Sequence, residues 1–148
     1  MLPYESPWMD DDLRTFRETV VRFLEDEMVP HDARWRAQHH VDRALWHKAG
    51  ETGLLLLDVP AEYGGGGGDF RHEAVLYEEL ARRGLSGFGQ GVHSIAAHYV
   101  LNHGSEAQKQ RWLPRLARGE LIGAIAMTEP GAGSDLQGIR TRAVRDGD

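Results

Sequence analysis

The sequence predicts a mainly α fold: a helical bundle over residues 1–120, followed over 121–148 by the first strands of a β domain. Three observations carry this. Between Asp10 and Gly119, apolar residues recur at helical spacing in successive windows, each bounded by a capping or stop signal. Past Gly119 that period vanishes, and the apolar run Leu121 to Met127 has the length of one buried strand. Ile139 to Val144 then alternates Ile139, Thr141 and Ala143 against Arg140, Arg142 and Val144, as a half-buried strand does. Asp146-Gly147 follows as a hairpin signal. The chain reads as the front portion of something longer.

Asp10, Asp11 and Asp12 supply a cap and favourable charge for a first helix carrying Leu13, Phe16, Val20, Phe23 and Leu24, and Pro30 is its expected stop. Its acidic polar face fits core packing rather than a membrane surface. Asp42 is the expected cap of a short helix with Leu45, Trp46 and Ala49, ended by Gly53. Leu54 to Leu57 run into Val59-Pro60 as a buried connection. The five glycines at 64–68 read as a mobile loop, because no Lys or hydroxyl follows and Asp69 would repel a phosphate. Asp69 caps the next helix, with Phe70, Ala74, Tyr77 and Ala81 on one face, Leu76 and Leu80 beside it, and Arg82, Arg83 and Gly84 at its end. The following helix, about Gly89 to His103, places Val92, Ile95, Ala96, Tyr99 and Val100 on one stripe. The small residues around Gly87, Gly89 and Gly91 either leave a channel or allow close helix packing; the residues alone favour packing. Ser105-Glu106-Ala107-Gln108 is a capping box for a last helix in which Pro114 should introduce a kink.

Composition narrows the function. A formal charge of −6 argues against nucleic acid, whose phosphates demand a basic face. With no cysteine there is no disulfide, thiolate metal site or thiol catalysis, which fits a reducing compartment such as the cytoplasm. The start MLPYESPWMDDD lacks the apolar core of a signal peptide, and no apolar run approaches the ~20 residues of a membrane helix. His31, His39 and His40 lie near one another without ligand spacing, so no metal site is expected.

The chemistry concentrates in Thr128-Glu129-Pro130-Gly131-Ala132-Gly133-Ser134-Asp135. Pro130 fixes one backbone angle, Gly131 and Gly133 let a ligand approach the main chain, and Thr128 and Ser134 offer hydroxyls. This loop suits a cradle for a flat polar ring and a phosphate, or else a tight turn between strands; the residues leave both open. It is not a dinucleotide fingerprint, since Leu136 stands where the third glycine would fall and no helix pattern follows.

T-E-P-G-A-G-S-D after an apolar strand resembles the flavin-binding signature of the acyl-CoA dehydrogenase family. Val59-Pro60-Ala61-Glu62-Tyr63-Gly64-Gly65, Gly104-Ser105-Glu106-Ala107-Gln108-Lys109, Trp112-Leu113-Pro114-Arg115-Leu116 and Gly119-Glu120 sit in the family's order. The resemblance implies an N-terminal helical domain, a middle β-barrel domain and a C-terminal helical domain, usually in a homotetramer. It implies FAD-dependent oxidation of acyl-CoA thioesters to trans-2-enoyl-CoA, a glutamate base taking the α-proton, and electrons passed to an electron-transfer flavoprotein. By resemblance, Ile125, Met127, Thr128, Gly133 and Ser134 would contact FAD, and Ser134, Gly87, Gly91 and Ile95 would contact the acyl-CoA. The base is expected in the C-terminal domain, so no catalytic residue is assigned, Glu129 included, and the 148 residues alone are expected to be inactive. Two other readings stand beside this: a non-catalytic partner subunit of a longer paralogue, and a sister flavoenzyme such as an acyl-CoA oxidase or flavin monooxygenase.

Overall fold

The computed structural model describes residues 6–147; the first five residues of the acidic start lie outside the described residues. Helix α1, Asp11–Phe23, begins as expected: the Asp10 carboxylate accepts from the Leu13 amide at 2.9 Å, and Leu13, Val20 and Phe23 are buried. Pro30 does not end the helical path, which corrects the expected stop. A π-turn at Leu24–Met28 and a 3-10 turn at Val29–His31 lead straight into α2, Asp32–Gln38. Pro30 is tolerated because it falls in the first turn of a new segment, where backbone donors lack intrahelical partners anyway.

Helix α3, Arg43–Glu51, buries Leu45, Trp46 and Ala49. Asp42 occupies its cap position, but its side chain does not cap the helix. The carboxylate accepts instead from Arg34 and Gln38, and hydrogen bonds from those two side chains, Arg34 first, hold it well below the usual carboxylate range. Leu54 to Leu57 and Val59 are buried, as expected of a core connection.

The glycine run is an ordered loop, not a mobile one. Gly66, Gly67 and Gly68 donate their amides to the carbonyls of Leu56, Val59 and Leu57 at 2.9–3.0 Å. A Cβ on Gly65 would stand 2.2 Å from the Val59 carbonyl oxygen. The glycines serve close approach of two main chains rather than flexibility.

Helix α4, Phe70–Arg82, opens with a capping box: Asp69 accepts from the Arg71 amide at 2.9 Å, and His72 Nδ1 accepts from the Asp69 amide at 3.2 Å. Its buried side is Glu73, Val75, Leu76, Glu79 and Leu80, while Phe70 is 68% exposed and Tyr77 is exposed too. Helix α5, Gln90–His103, is inverted more completely: Gln90, His93, Ser94 and Ala97 are buried, and Val92, Ile95 and Tyr99 are exposed. Helical period places residues on a common face but does not say which face turns inward. On α5 the polar side turns inward because every buried polar group there finds a partner: Gln90 and Ser94 donate to Glu73, and His93 bonds the Leu116 carbonyl.

Helix α6, Glu106–Ala117, carries the expected Ser105/Gln108 capping box, and it continues past Pro114 to Ala117. Helix α1 packs along α4, and α5 along α6. Two apolar cores result, one led by Leu13, Leu24, Trp46 and Leu76, the other by Leu56, Val59, Leu113 and Leu116.

Past Gly119, the expected strands are absent among the described residues. Residues 122–128 and 140–147 carry no regular element, and the only pairing is a bridge between Glu129 and Ala132. A strand exists only against a partner strand, and none of the described residues supplies one. Amide hydrogen exchange should therefore be slow through α1 and α3 to α6 and fast across residues 124–128. Equal protection in both would show that the extended segment pairs in solution.

Candidate functional site

The exposed apolar side of α5 separates two cavities. The first, about 390 Å³, lies between α4 and α5; Phe70, Tyr77, Ile95 and Tyr99 form its apolar walls. Ile95 and Tyr99 are 50% and 52% exposed. Its polar side is Asp58, Glu73, Ser94, His98, Asn102 and His103. The second, about 470 Å³, runs between Ala96 and Tyr99 on α5 and the extended segment Ala124, Ile125, Ala126, Met127 and Thr128. Tyr99 lines both.

Two devices hold the extended segment against α5. The buried imidazole of His93 bonds the Leu116 carbonyl through Nε2 at 3.1 Å and accepts the Gly123 amide on Nδ1 at 3.0 Å. Burial pushes the His93 pKa down, opposed in part by the bond to Leu116. Gly123 must be glycine for this contact, since a Cβ would meet that of Ala96 at 2.8 Å. At the far end, Glu129 exchanges main-chain hydrogen bonds with Ala132 at 3.1 Å in each direction. Its carboxylate accepts the amides of Arg140 at 2.6 Å and Thr141 at 2.9 Å, and the Thr141 hydroxyl. Those bonds, Thr141 first and Arg140 next, hold the Glu129 carboxyl below its usual range. Glu129 is thus a brace for the loop with its acceptors committed.

Ile125, Met127 and Thr128 come together on the second cavity, and Gly91 and Ile95 on the first. Gly87 lies apart from both, in a cleft with Val41 and Trp35. Gly133 and Ser134 are exposed on the turn beyond Ala132 and line neither cavity. Asp58, Glu73 and His98 are not put forward by the sequence, which names Tyr77 only as part of an apolar helix face. Glu73 is 2% exposed, and its carboxyl is pushed up by burial and then by the charge of Asp58. A lone glutamate in an acid-rich chain gives no signal of this before the fold is known. No group of three or more His, Cys, Asp or Glu among the described residues could hold a metal ion.

The residues fit a flat cofactor with hydrogen-bonding edges. Among the described residues, no main-chain amide or carbonyl of 124–128 has a protein partner, and a Cβ at Gly131 or Gly133 would meet open space. An extended main chain with free donors beside a cavity can bond such a ring edge to edge.

The same arrangement of helices occurs in solved acyl-CoA dehydrogenases. The enzyme from Geobacillus kaustophilus superposes with a TM-score of 0.88 at 44% identity over 97% of this chain and 38% of that one. Acyl-CoA dehydrogenase from Bacillus anthracis, solved in complex with FAD, gives 0.81 at 36% identity over 93% of this chain and 24% of that one. The family model of the acyl-CoA dehydrogenase N-terminal domain matches residues 10–120, and the chain belongs to that family. The pig (Sus scrofa) mitochondrial long-chain specific acyl-CoA dehydrogenase is 48% identical over 133 residues, covering 89% of this chain and 31% of the relative. The chain thus spans about a third of the length of the curated relatives it matches.

Proposed function

We propose that this chain serves in the cytoplasm as the helical, acyl-binding part of an FAD-dependent acyl-CoA dehydrogenase that forms trans-2-enoyl-CoA and passes electrons to an electron-transfer flavoprotein. In this reading, residues 1–120 are the helical domain, residues 121–148 begin a middle β domain, and the complete protein is a homo-oligomer, a tetramer as in its family. The observation that carries it is the sharing of Tyr99 between an apolar-walled cavity and the open-edged segment at Ile125 to Thr128. An acyl chain would lie against Ile95, Tyr99 and Phe70, removing from water apolar surface worth about 25 cal/mol per Å². Ile125, Met127 and Thr128 would hold the flavin ring, with the Thr128 hydroxyl bonding its polar edge and Gly133 and Ser134 the phosphate side. When bound, FAD supplies the hydride acceptor. His93 and Glu129 fix the segment at both ends so that its amides point at the ring without reorganising.

Replacing Thr128 and Ser134 together by Ala should weaken FAD retention in the holoenzyme. The Thr128 bond contributes about 0.5–1.5 kcal/mol, up to tenfold in affinity, and a bond from Ser134 to charged phosphate contributes more. Equilibrium dialysis measures this. Unchanged affinity in the double variant would remove both hydroxyls from the cofactor site.

A further inference from the structure

We propose that the cavity between α4 and α5 takes acyl chains that end in an aromatic ring, and that Phe70 and Tyr77 select them, with Gly91 making room for the Tyr77 ring. This rests on the acyl-binding reading of the cavity given above.

An alkyl tail asks only for apolar area, and aliphatic walls supply it. The apolar walls here are mainly rings: Phe70 and Tyr77 from α4 and Tyr99 from α5, with Ile95 the one aliphatic side chain among the described residues on the cavity. All three rings stay partly open to solvent, Phe70 the most and Tyr77 the least. Aromatic rings attract one another edge to face. Among the described residues, however, Phe70 and Tyr77 touch no other ring, and Tyr99 meets only that of His103, 6.2 Å away between centroids. Phe70 and Tyr77 lie two turns apart on α4, about 10 Å along its axis. The cavity therefore holds unpaired ring surface at two places along one wall.

Gly91 sets where Tyr77 stands. A Cβ there would lie 2.8 Å from the Tyr77 hydroxyl oxygen and 3.3 Å from its Cε1, so any side chain would push the phenol aside. With glycine, the Tyr77 ring reaches from α4 to the first turn of α5.

A terminal aryl ring has a negative face and a positive edge, so it can meet Phe70 and Tyr77 edge to face. Methylenes or a saturated ring offer the area without that attraction. A cationic tail would seek ring faces too, but neither nearby carboxyl is free to accompany it. Glu73 is buried and pushed toward its neutral form. Asp58 has one oxygen buried and the other 3.3 Å from His98 Nε2.

The experiment titrates the isotope-labelled chain with phenylpropanoyl-CoA and phenylhexanoyl-CoA, each beside its cyclohexyl analogue, and with a trimethylammonio analogue of the longer one. Affinities are read from amide shifts at Gly91, Ile95 and Tyr99. At one length or both, the phenyl thioester should bind about tenfold more tightly than the cyclohexyl one, the effect of two edge-to-face ring pairs. That ratio should fall to about threefold in Tyr77→Leu, and toward unity when Phe70→Leu is added, as each change removes one pair. Tyr77→Phe, which keeps the ring, should keep the ratio. Gly91→Ala should lower it as Tyr77→Leu does, and the two together should lower it no further, because the glycine acts through the tyrosine. Equal binding of phenyl and cyclohexyl thioesters at both lengths, with shifts at those residues, overturns the aryl selection while leaving the acyl-binding reading in place. Tighter binding of the trimethylammonio analogue overturns it as well, and so does a phenyl preference that Tyr77→Leu leaves unchanged. If no thioester shifts those residues, the acyl-binding reading itself fails.

Discussion

Glu79→Gln should destabilise the chain by about 3 kcal/mol, one of the two largest losses expected from a single side chain. Glu79 sits on α4 at 3% side-chain exposure, facing α1. Arg17 Nε from α1 donates to one carboxylate oxygen at 2.6 Å, and Arg83 from the end of α4 donates to the other at 2.6 Å. Arg82 adds a looser contact at 3.5 Å, and Arg83 is shared with Glu25 at 2.7 Å. Burial by itself would raise the Glu79 pKa, but the bonds from Arg83 and Arg17 outweigh it and leave the carboxyl below its usual range. The stability tied to this depressed pKa is present above the unfolded value near 4.5 and is lost as pH falls through the folded value. Glutamine keeps the shape and removes the charge, leaving two guanidinium groups without their shared counter-ion. Breaking a buried pair from one side costs about 3–5 kcal/mol, and the lower end applies because Arg17 keeps some contact with water. In a chain of this length, a thermal melt should fall by roughly 6–12 °C. Glu78→Gln, one residue earlier and paired with Arg82 only at 3.8 Å, should cost under about 0.5 kcal/mol. Similar melting of the two variants would show that the Glu79 cluster is no more than surface charge.

Much of the helical framework was legible because its signals are local. Asp10, Asp69 and Ser105 cap the helices they were expected to cap, since a cap depends on a few successive residues. Asp42 did not, because Arg34 and Gln38, on a different helix, compete for its carboxylate. The inward face of α5 was read wrongly for a related reason. Hydropathy assigns Val92, Ile95 and Tyr99 to the core, but burial of Gln90, His93 and Ser94 is settled by partners at Glu73, Leu116 and Gly123, which lie 17–30 residues away. The glycine run looked mobile because sequence shows freedom of angle and not the Leu57 and Val59 main chain pressed against it. Ile125 to Thr128 could be put forward as site residues because the loop motif announces them. Asp58, Glu73 and His98 could not, since only the fold brings three ordinary polar residues to one wall.

Replacing His93 should loosen the extended segment and remove a pH dependence specific to it. The ring is fully buried beside Trp46 and Phe88, with centroid distances of 5.1 Å from its own ring to Trp46 and 4.7 Å from Trp46 to Phe88. A carbonyl can only accept, so Nε2 carries the proton toward Leu116, and Nδ1 is left to accept from Gly123. Only the neutral imidazole makes both bonds. Protonation would put a hydrogen on Nδ1 against the Gly123 N–H and charge a buried ring, which is why its pKa is pushed down. For a histidine with a depressed folded pKa, the contribution is full above the unfolded value near 6.5 and is lost as pH falls toward the folded value. Within that window the loss reaches about 1.4 kcal/mol per pH unit. His93→Leu strands the Leu116 carbonyl and the Gly123 amide and should cost about 2–4 kcal/mol at neutral pH. His93→Gln can donate to one and accept from the other without titrating, so it should retain more stability and show a flatter profile below pH 6.5. Glu73, raised in its turn, shifts stability the opposite way as pH falls, but it is common to both proteins and cancels in their difference. Urea unfolding at successive pH values, with exchange of the Gly123 amide followed alongside, gives that difference directly. Parallel stability curves for wild type and His93→Gln between pH 5 and 7 would mean that the imidazole is not the group that ties residues 124–128 to α5.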